Sequence, residues 1–443
     1  MIRRIAKGAL ALALIGAAVV EMIAPLPAAS ADDVWLRSYR DVASRVPVGV
    51  LGVVGQPGLD VPLGETREVL MADLRRSGVF TARDLELHMA APPDETLGPV
   101  RIRDMGLSEA VDVMVWASLS RDELGRFTLH SQVFDAARGK MIIEKRQRAP
   151  ESQLRELTHR LVGEIIHHYT GEYGITRSRI AFVSDLTGTK EVFVMDHDGY
   201  APKRVTADRN IGLTPALAQG AKTVLYASQK SGNWRIYKLD LDSGVRSVAF
   251  SSQGLSMTPV WHPEGNGFAV TGSEQGSREI YHVTGDGRVI QLTNHRADDL
   301  SPTWSADGRL IAFTSNRGGN PQIYVMNAGG GRAKRITFGG DYNSEPDWSP
   351  TGELIAYTCR SGQWFKICVT TPDGRNNRQI SPDGDWDDES PSFSPDGRHI
   401  AFASTRGGRQ DIYLMSPDGG DVERVTYNGA NNTSPDWASE VDR

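Results

Sequence analysis

From residue 175 onward, apolar and polar positions recur in one fixed order: Pro-x-aromatic, a short turn, then an apolar triplet. The prolines are Pro215, Pro259, Pro302, Pro346, Pro391 and Pro435, spaced 44, 43, 44, 45 and 44 residues apart. Pairs such as Val192-Phe193, Ile236-Tyr237, Ile280-Tyr281, Ile323-Tyr324, Ile367-Cys368 and Ile412-Tyr413 keep the same interval. Most units end on a threonine (Thr206, Thr293, Thr337, Thr426), with Ser381 in its place once. Each unit reads as four strands. In the unit at Pro302 these are Pro302 to Ser305, Leu310 to Ser315, Gln322 to Met326 and Arg335 to Thr337, with Asp307-Gly308 as the first hairpin turn. Four strands per unit of this length predict a propeller blade. Six apolar second strands begin at Ile180, Val224, Phe268, Ile311, Ile355 and Ile400. The first lacks its own Pro-x-aromatic strand, and Pro435-Asp436-Trp437 has that strand with nothing after it. The two fragments are expected to share one blade and close a six-bladed ring, which removes exposed sheet edges.

Residues 32–174 do not follow this period. Val46 to Val54 reads as a strand, and Glu65 to Arg76 as a helix with Val69, Leu70 and Leu74 on one side and a stop at Gly78. Val111 to Leu119, Arg126 to Phe134 and Met141 to Arg146 read as three strands. Ser152 is expected to cap a last helix whose stripe is Leu154, Leu157, Leu161, Ile165 and Tyr169. The fold class is mainly β: a six-bladed β-propeller over 175–443, preceded by a small α/β domain over 32–174, with Gly171 to Gly174 between them.

Residues 1–31 carry a different pattern. Arg3, Arg4 and Lys7 precede an apolar run from Gly8 to Val20, and Ala29-Ser30-Ala31 precedes Asp32. That order predicts a cleaved secretory signal with a mature start near Asp32, because the run is shorter than the ~20 residues that span a bilayer. No cysteine near the junction invites a lipid anchor. The net charge of -6 becomes -8 without these residues, and an acidic chain with no basic run argues against a nucleic-acid partner. With 46 glycines, 23 prolines and two cysteines, the chain depends on turns and core rather than on a disulfide framework.

Catalytic signatures are absent from the sequence: no Gly-x-Ser-x-Gly, no phosphate loop, no Gly-x-Gly-x-x-Gly and no His-Glu-x-x-His. No catalytic residue, cofactor or metal is therefore expected. His167-His168 are adjacent on a helix, ~100° apart, and read as surface residues. Asp307 and Asp396 sit at repeat-equivalent turns, where Asp-Gly geometry accounts for them. Asp383, Asp385, Asp387, Asp388 and Glu389 resemble a calcium loop in spacing, but Asp388 stands where the glycine belongs and no helices flank it, so a solvated acidic loop is preferred. Cys359 and Cys368 replace the Ser315/Ser404 and Tyr324/Tyr413 of other units, both in one hairpin. A cross-strand disulfide is preferred over two chance substitutions.

In a propeller the connections from each outer strand to the next inner strand converge at one mouth. Here they are Ile211 to Thr214, Ser256 to Thr258, Asp298 to Ser301, Tyr342 to Glu345, Trp386 to Ser390 and Asn431 to Ser434. They differ between units while the strands repeat, which marks a rigid scaffold carrying a specific surface. Ser256, Met257, Thr258, Asp298, Asp299, Leu300, Ser301, Glu345, Asp388, Glu389 and Asn432 form the expected partner surface, with Tyr342 and Trp386 as aromatic anchors.

The run Ser394 to Phe402 resembles the repeat of TolB-type propellers, which propellers attached to peptidases share. Pro47-Val48-Gly49-Val50, Ala72 to Phe80, Arg177 to Val183 and the Met195 to Tyr200 turn are also similar to the TolB family, over essentially the whole mature chain. The resemblance implies a monomeric periplasmic adaptor of the Tol–Pal system, supporting outer-membrane integrity and constriction at division. It implies Pal lipoprotein at the mouth, with Ser256, Thr258, Leu300 and Ser301 at matching positions. It implies TolA at Asp32 to about Arg40, with Asp32, Asp33, Val34, Trp35 and Leu36 as the grip. The alternatives are a catalytically inactive relative of propeller peptidases, a lyase using the channel, and a carbohydrate- or peptidoglycan-binding propeller.

Overall fold

A computed structural model describes residues 45–85, 93, 98–274 and 276–441. The signal segment and the expected grip at Asp32 to Leu36 lie outside the described residues.

The N-terminal domain is one five-stranded sheet. Its strands are β1 (Val46–Gly55), β2 (Phe80–Asp84), β3 (Val113–Arg121), β4 (Phe127–Asp135) and β5 (Lys140–Ala149), in the order β2-β1-β3-β4-β5. β1 pairs parallel with β2 and β3, while β3, β4 and β5 pair antiparallel. Helices α1 (Asp60–Arg76) and α3 (Leu154–Thr170) cover one face, on Val48, Val50, Val113, Val115, Leu70, Leu74, Leu161 and Ile165. Helix α2 (Pro99–Glu109) covers the other, on Leu51, Met114, Trp116 and Phe134. Leu70 and Leu74 are fully buried, each contributing about 1.5–3 kcal/mol.

Three expectations are corrected here. α1 starts at Asp60, not Glu65, because Pro62 falls in the first turn, where a missing N–H breaks no helical bond. Ser152 does not cap α3: it lies in a 3-10 turn over Glu151–Gln153, and Gln153 stands at the helix start with no side-chain cap. β2 and α2 were not anticipated; Gly98-Pro99 at the start of α2 was the available signal.

The ring has six four-stranded blades. Blade one joins Asn432–Ser439 to Ser178–Ser184, Glu191–Asp196 and Lys203–Arg204. The C-terminal strand therefore closes the ring, pairing Thr433 with Val183 and Trp437 with Ile180. Blades two to six start at Gly212, Ser256, Asp299, Asn343 and Asp388. Two of the repeat's aromatics bond to the preceding blade: Trp261 Nε1 donates to the Ala216 carbonyl at 3.0 Å and Trp304 Nε1 to the Val260 carbonyl at 3.4 Å, while the first copy has Leu217 in that place.

The repeated threonine has a structural reason. In blade four the outer strand is only Lys334–Arg335, so Thr337 falls just beyond it instead of inside the expected Arg335 to Thr337 strand. Thr337 Oγ1 accepts from Ile323 N at 2.9 Å and donates to Gln322 Oε1 at 2.8 Å, satisfying the amide that the short strand leaves open. Thr293 and Thr426 do the same for Ile280 and Ile412, and Ser381 accepts from Ile367 N at 3.0 Å.

Candidate functional site

The mouth is built from the first three residues of each inner strand. These residues were expected as loops, and that is corrected: Ser256, Asp299, Asn343, Asp388 and Asn432 each begin a strand. A bulge explains the misreading. In blade four the register shifts between Leu300 and Thr303, and Ser301 takes φ 50°. Thr214, Thr258, Glu345, Ser390 and Ser434 take the same left-handed conformation, with φ from 46° to 55°. A non-glycine residue there carries strain of about 1–2 kcal/mol. Part of that is offset by a bond to the preceding blade: Ser301 N donates to Thr271 Oγ1, Glu345 N to Thr314 Oγ1 and Ser390 N to Thr358 Oγ1, each at 3.1 Å.

The bulge sorts the expected surface residues into two sets. The first residue of each strand turns into its blade. Ser256, Asp299, Asp388 and Asn432 are fully buried. Ser256 Oγ accepts from Ser252 N at 3.0 Å; Asp299 accepts from Arg317 at 2.6 Å, Asp388 from Arg406 at 2.9 Å, and Asn432 donates to Asp411 at 3.1 Å. These four side chains lock the mouth together and face no solvent.

The second and third residues stay accessible, except Ser344 of blade five, which is buried. Leu213, Met257 and Leu300 lie half-buried on blades two, three and four, beside Thr258 and Ser301. Exposed Glu345 and half-buried Glu389 lie on blades five and six. The mouth is therefore apolar over one arc and acidic over the next. Glu345 Oε2 accepts from Thr358 Oγ1 and from Ser390 N and Oγ, all at 3.1 Å. Burial, then the charges of Glu345, Asp387 and Asp388, push the Glu389 carboxyl up to about 7.

The expected aromatic anchors are engaged within the chain. Lys366 Nζ lies 4.6 Å and Arg406 Cζ 5.3 Å from the Trp386 ring centre, and Trp386 Nε1 donates to Asp388 at 3.2 Å. Tyr342 packs on Phe365 with ring centres 5.2 Å apart. Asp298 accepts from Arg278 N at 3.1 Å. In the acidic loop, Asp383 accepts from Gln379 and Asp387 from Phe365 N, both at 2.9 Å. Cys359 and Cys368 form a disulfide across the second and third strands of blade five, Cα atoms 5.8 Å apart, in a diagonal arrangement: Cys368 pairs with Tyr357 and Cys359 with Lys366.

Below the mouth the middle residues of the Pro-x-aromatic triplets line the channel. Asp347 Oδ2 accepts from Phe393 N at 2.7 Å, Ser392 Oγ from Trp437 N at 3.1 Å and Asp436 Oδ2 from Leu217 N at 2.6 Å. Burial pushes both Asp347 and Asp436 up to about 7, and for Asp436 the Asp347 charge adds to it. The turn aspartates behave as turn residues: Ser305 Oγ donates to Asp307 and Ser394 Oγ to Asp396, both at 2.6 Å.

A second polar centre lies where the domains meet. Arg76 of α1 pairs with Glu423, Arg155 of α3 with Asp198, and Asp73 of α1 with His159 and His197. Sequence spacing gave no sign of it, since its members come from four distant segments.

The chain matches the model of the TolB β-propeller domain over residues 166–395 and 373–443. It is similar to a TolB homolog of Chlorobium chlorochromatii, 39% identical over 194 residues, 44% of each chain. It is similar to the Tol-Pal system protein TolB of Desulfosudis oleivorans, 37% identical over 167 residues, 38% of each chain. These matches thus span less than half the length of the curated relatives. Among solved structures, TolB from Acinetobacter baumannii superposes with a TM-score of 0.75 at 28% identity, covering 89% of this chain and 97% of that one.

Proposed function

Since the chain belongs to the TolB β-propeller domain family, we propose that it is a non-enzymatic periplasmic adaptor of the Tol–Pal system. It binds Pal lipoprotein through the propeller mouth and TolA through the segment from Asp32 to Leu36. The observation that carries this reading is the split mouth. Leu213, Met257 and Leu300 offer an apolar arc, Glu345 and Glu389 an adjoining acidic arc, and six strained bulges hold both rigid. Rigid, partly apolar rims beside charge suit recognition of a folded protein. The sugar-binding alternative is weakened, because Trp386 and Tyr342, the rings that would stack on a saccharide, pack against Lys366, Arg406 and Phe365.

Calorimetric titration of the chain with the soluble domain of Pal tests the reading. Met257→Arg with Leu300→Arg is expected to weaken binding at least tenfold, about 1.4 kcal/mol, with the circular dichroism spectrum unchanged. Deleting residues 32–36 is expected to abolish TolA capture and spare Pal. No Pal binding by the unaltered chain, or retention of peptidoglycan with no protein partner, overturns the adaptor reading.

A further inference from the structure

The contact between the two domains holds a cluster that the mouth does not use. Asp73 on α1 accepts from His159 Nδ1 on α3 at 2.5 Å and from His197 Nε2 at 3.1 Å. His197 belongs to the Asp196–Tyr200 turn of blade one. Asp73 and His197 are each 1% exposed and His159 6%. The Asp73 carboxylate is thus enclosed between the two imidazoles. An ionised carboxylate only accepts, so both imidazoles direct an N–H at it. A neutral ring then keeps a lone pair on its other nitrogen. On His159 that atom is Nε2, which is buried, has no hydrogen-bond partner and lies 3.9 Å from Asp198 Oδ2.

We propose that these residues form a site for one zinc-class divalent cation that fastens the N-terminal domain to the propeller, with His159, His197 and Asp198 as ligands and Asp73 behind the two imidazoles. Three independent features carry it. Each of the four residues can bring one nitrogen or oxygen within 4.8 Å of the other three. In a tetrahedral site with bonds of ~2.0–2.2 Å the donor atoms lie ~3.3–3.6 Å apart, so the 3.9 Å between His159 Nε2 and Asp198 Oδ2 has only a few tenths of an ångström to close. A carboxylate that takes the far N–H of a ligating imidazole is the usual outer partner of such a site, and Asp73 does this for both rings.

The surroundings agree. Arg155 pairs with Asp198 and Arg76 with Glu423, while the side chains hydrogen-bonded to Asp73 are the two histidines. His159 and His197 open onto a cavity of about 480 Å³ between the domains, giving an ion a route in and a water the fourth position. The turn that presents His197 and Asp198 is fixed: Gly199 takes φ 84°, and a Cβ there would lie 2.0 Å from the Val425 carbonyl of blade six. Asp198 Oδ1 accepts from Tyr200 N at 3.0 Å. One ligand comes from the N-terminal domain and two from the propeller, so an ion held here ties the two bodies.

The test is a titration of the full chain, stripped of metal by a chelator, with Co²⁺ followed by absorption and then Zn²⁺ followed by calorimetry. One equivalent per chain is expected, with the visible absorption of a four-coordinate nitrogen–oxygen site that Zn²⁺ displaces. His159→Gln and Asp198→Asn are each expected to weaken binding at least ~100-fold, and Asp73→Asn ~10–100-fold. His168→Gln, at an exposed position on α3, is expected to leave it unchanged. Failure of the unaltered chain to take up one equivalent of Co²⁺ or Zn²⁺ overturns the site whatever the variants do. Uptake that survives His159→Gln in a folded variant overturns it equally.

Discussion

At the scale of single residues, the repeats are positions where one side chain completes another strand's backbone. Thr337 plugs the amide of Ile323, and Asp347 and Asp436 accept amides across blade boundaries in the channel. The two aspartates make stability depend on pH. Each has a folded-state pKa near 7 against an ordinary 3.8. The folded chain therefore keeps protons that the unfolded chain has lost. Stability falls as pH rises from about 4 to about 7, by at most about 1.4 kcal/mol per unit for each group, and then levels off. Asp347→Asn keeps an acceptor for Phe393 N but removes one titration. Urea unfolding across this range is expected to show a shallower decline for the variant; identical slopes would refute the assignment.

At the scale of elements, the bulged inner strands and the blade-five hairpin are the features that matter. The bulge turns Asp299, Asp388 and Asn432 inward and leaves Met257, Leu300 and Glu345 accessible at the mouth. The hairpin carries the disulfide between Cys359 and Cys368, nine residues apart. Closing so short a loop restricts the unfolded chain by about 2–3 kcal/mol. Cys359→Ser with Cys368→Ser is expected to lower the denaturant midpoint accordingly, and the unreduced native chain should yield no reactive thiol. Two titratable thiols in the native chain would remove the bridge from the account.

At the scale of the whole molecule, ring closure and domain attachment decide the architecture. Asn432–Ser439 supplies the inner strand of blade one, and Trp437 Nε1 donates to Ser178 Oγ at 2.8 Å across the whole ring sequence. Removing residues 432–443 would expose Ser178–Ser184 as an edge and leave a gap in the channel wall. The truncated chain is expected to aggregate, or to lose cooperative unfolding, in light scattering and thermal melts. A soluble truncation melting as the full chain does would show that closure is dispensable.

The sequence determined the blades, their number and the shared blade that closes them, because a repeated strand pattern must bury the same face each time. It also determined four of the five strands and two helices of the N-terminal domain, the helices because their apolar stripes follow the helical period. The inner strand starts were not legible: a bulge breaks the two-residue alternation at Leu300 and Ser301, so these positions read as loop. α2 was missed because only Ile102 and Gly106 are buried along it, too few to form a stripe. Which mouth residues stay accessible, and that Trp386 is covered by Lys366 and Arg406, depends on neighbours 20 residues away in the chain. The meeting of Asp73, His159 and His197 spans 124 residues. Only the packing of one domain against the other brings them within hydrogen-bonding reach, since no local periodicity encodes a contact between separately folded surfaces.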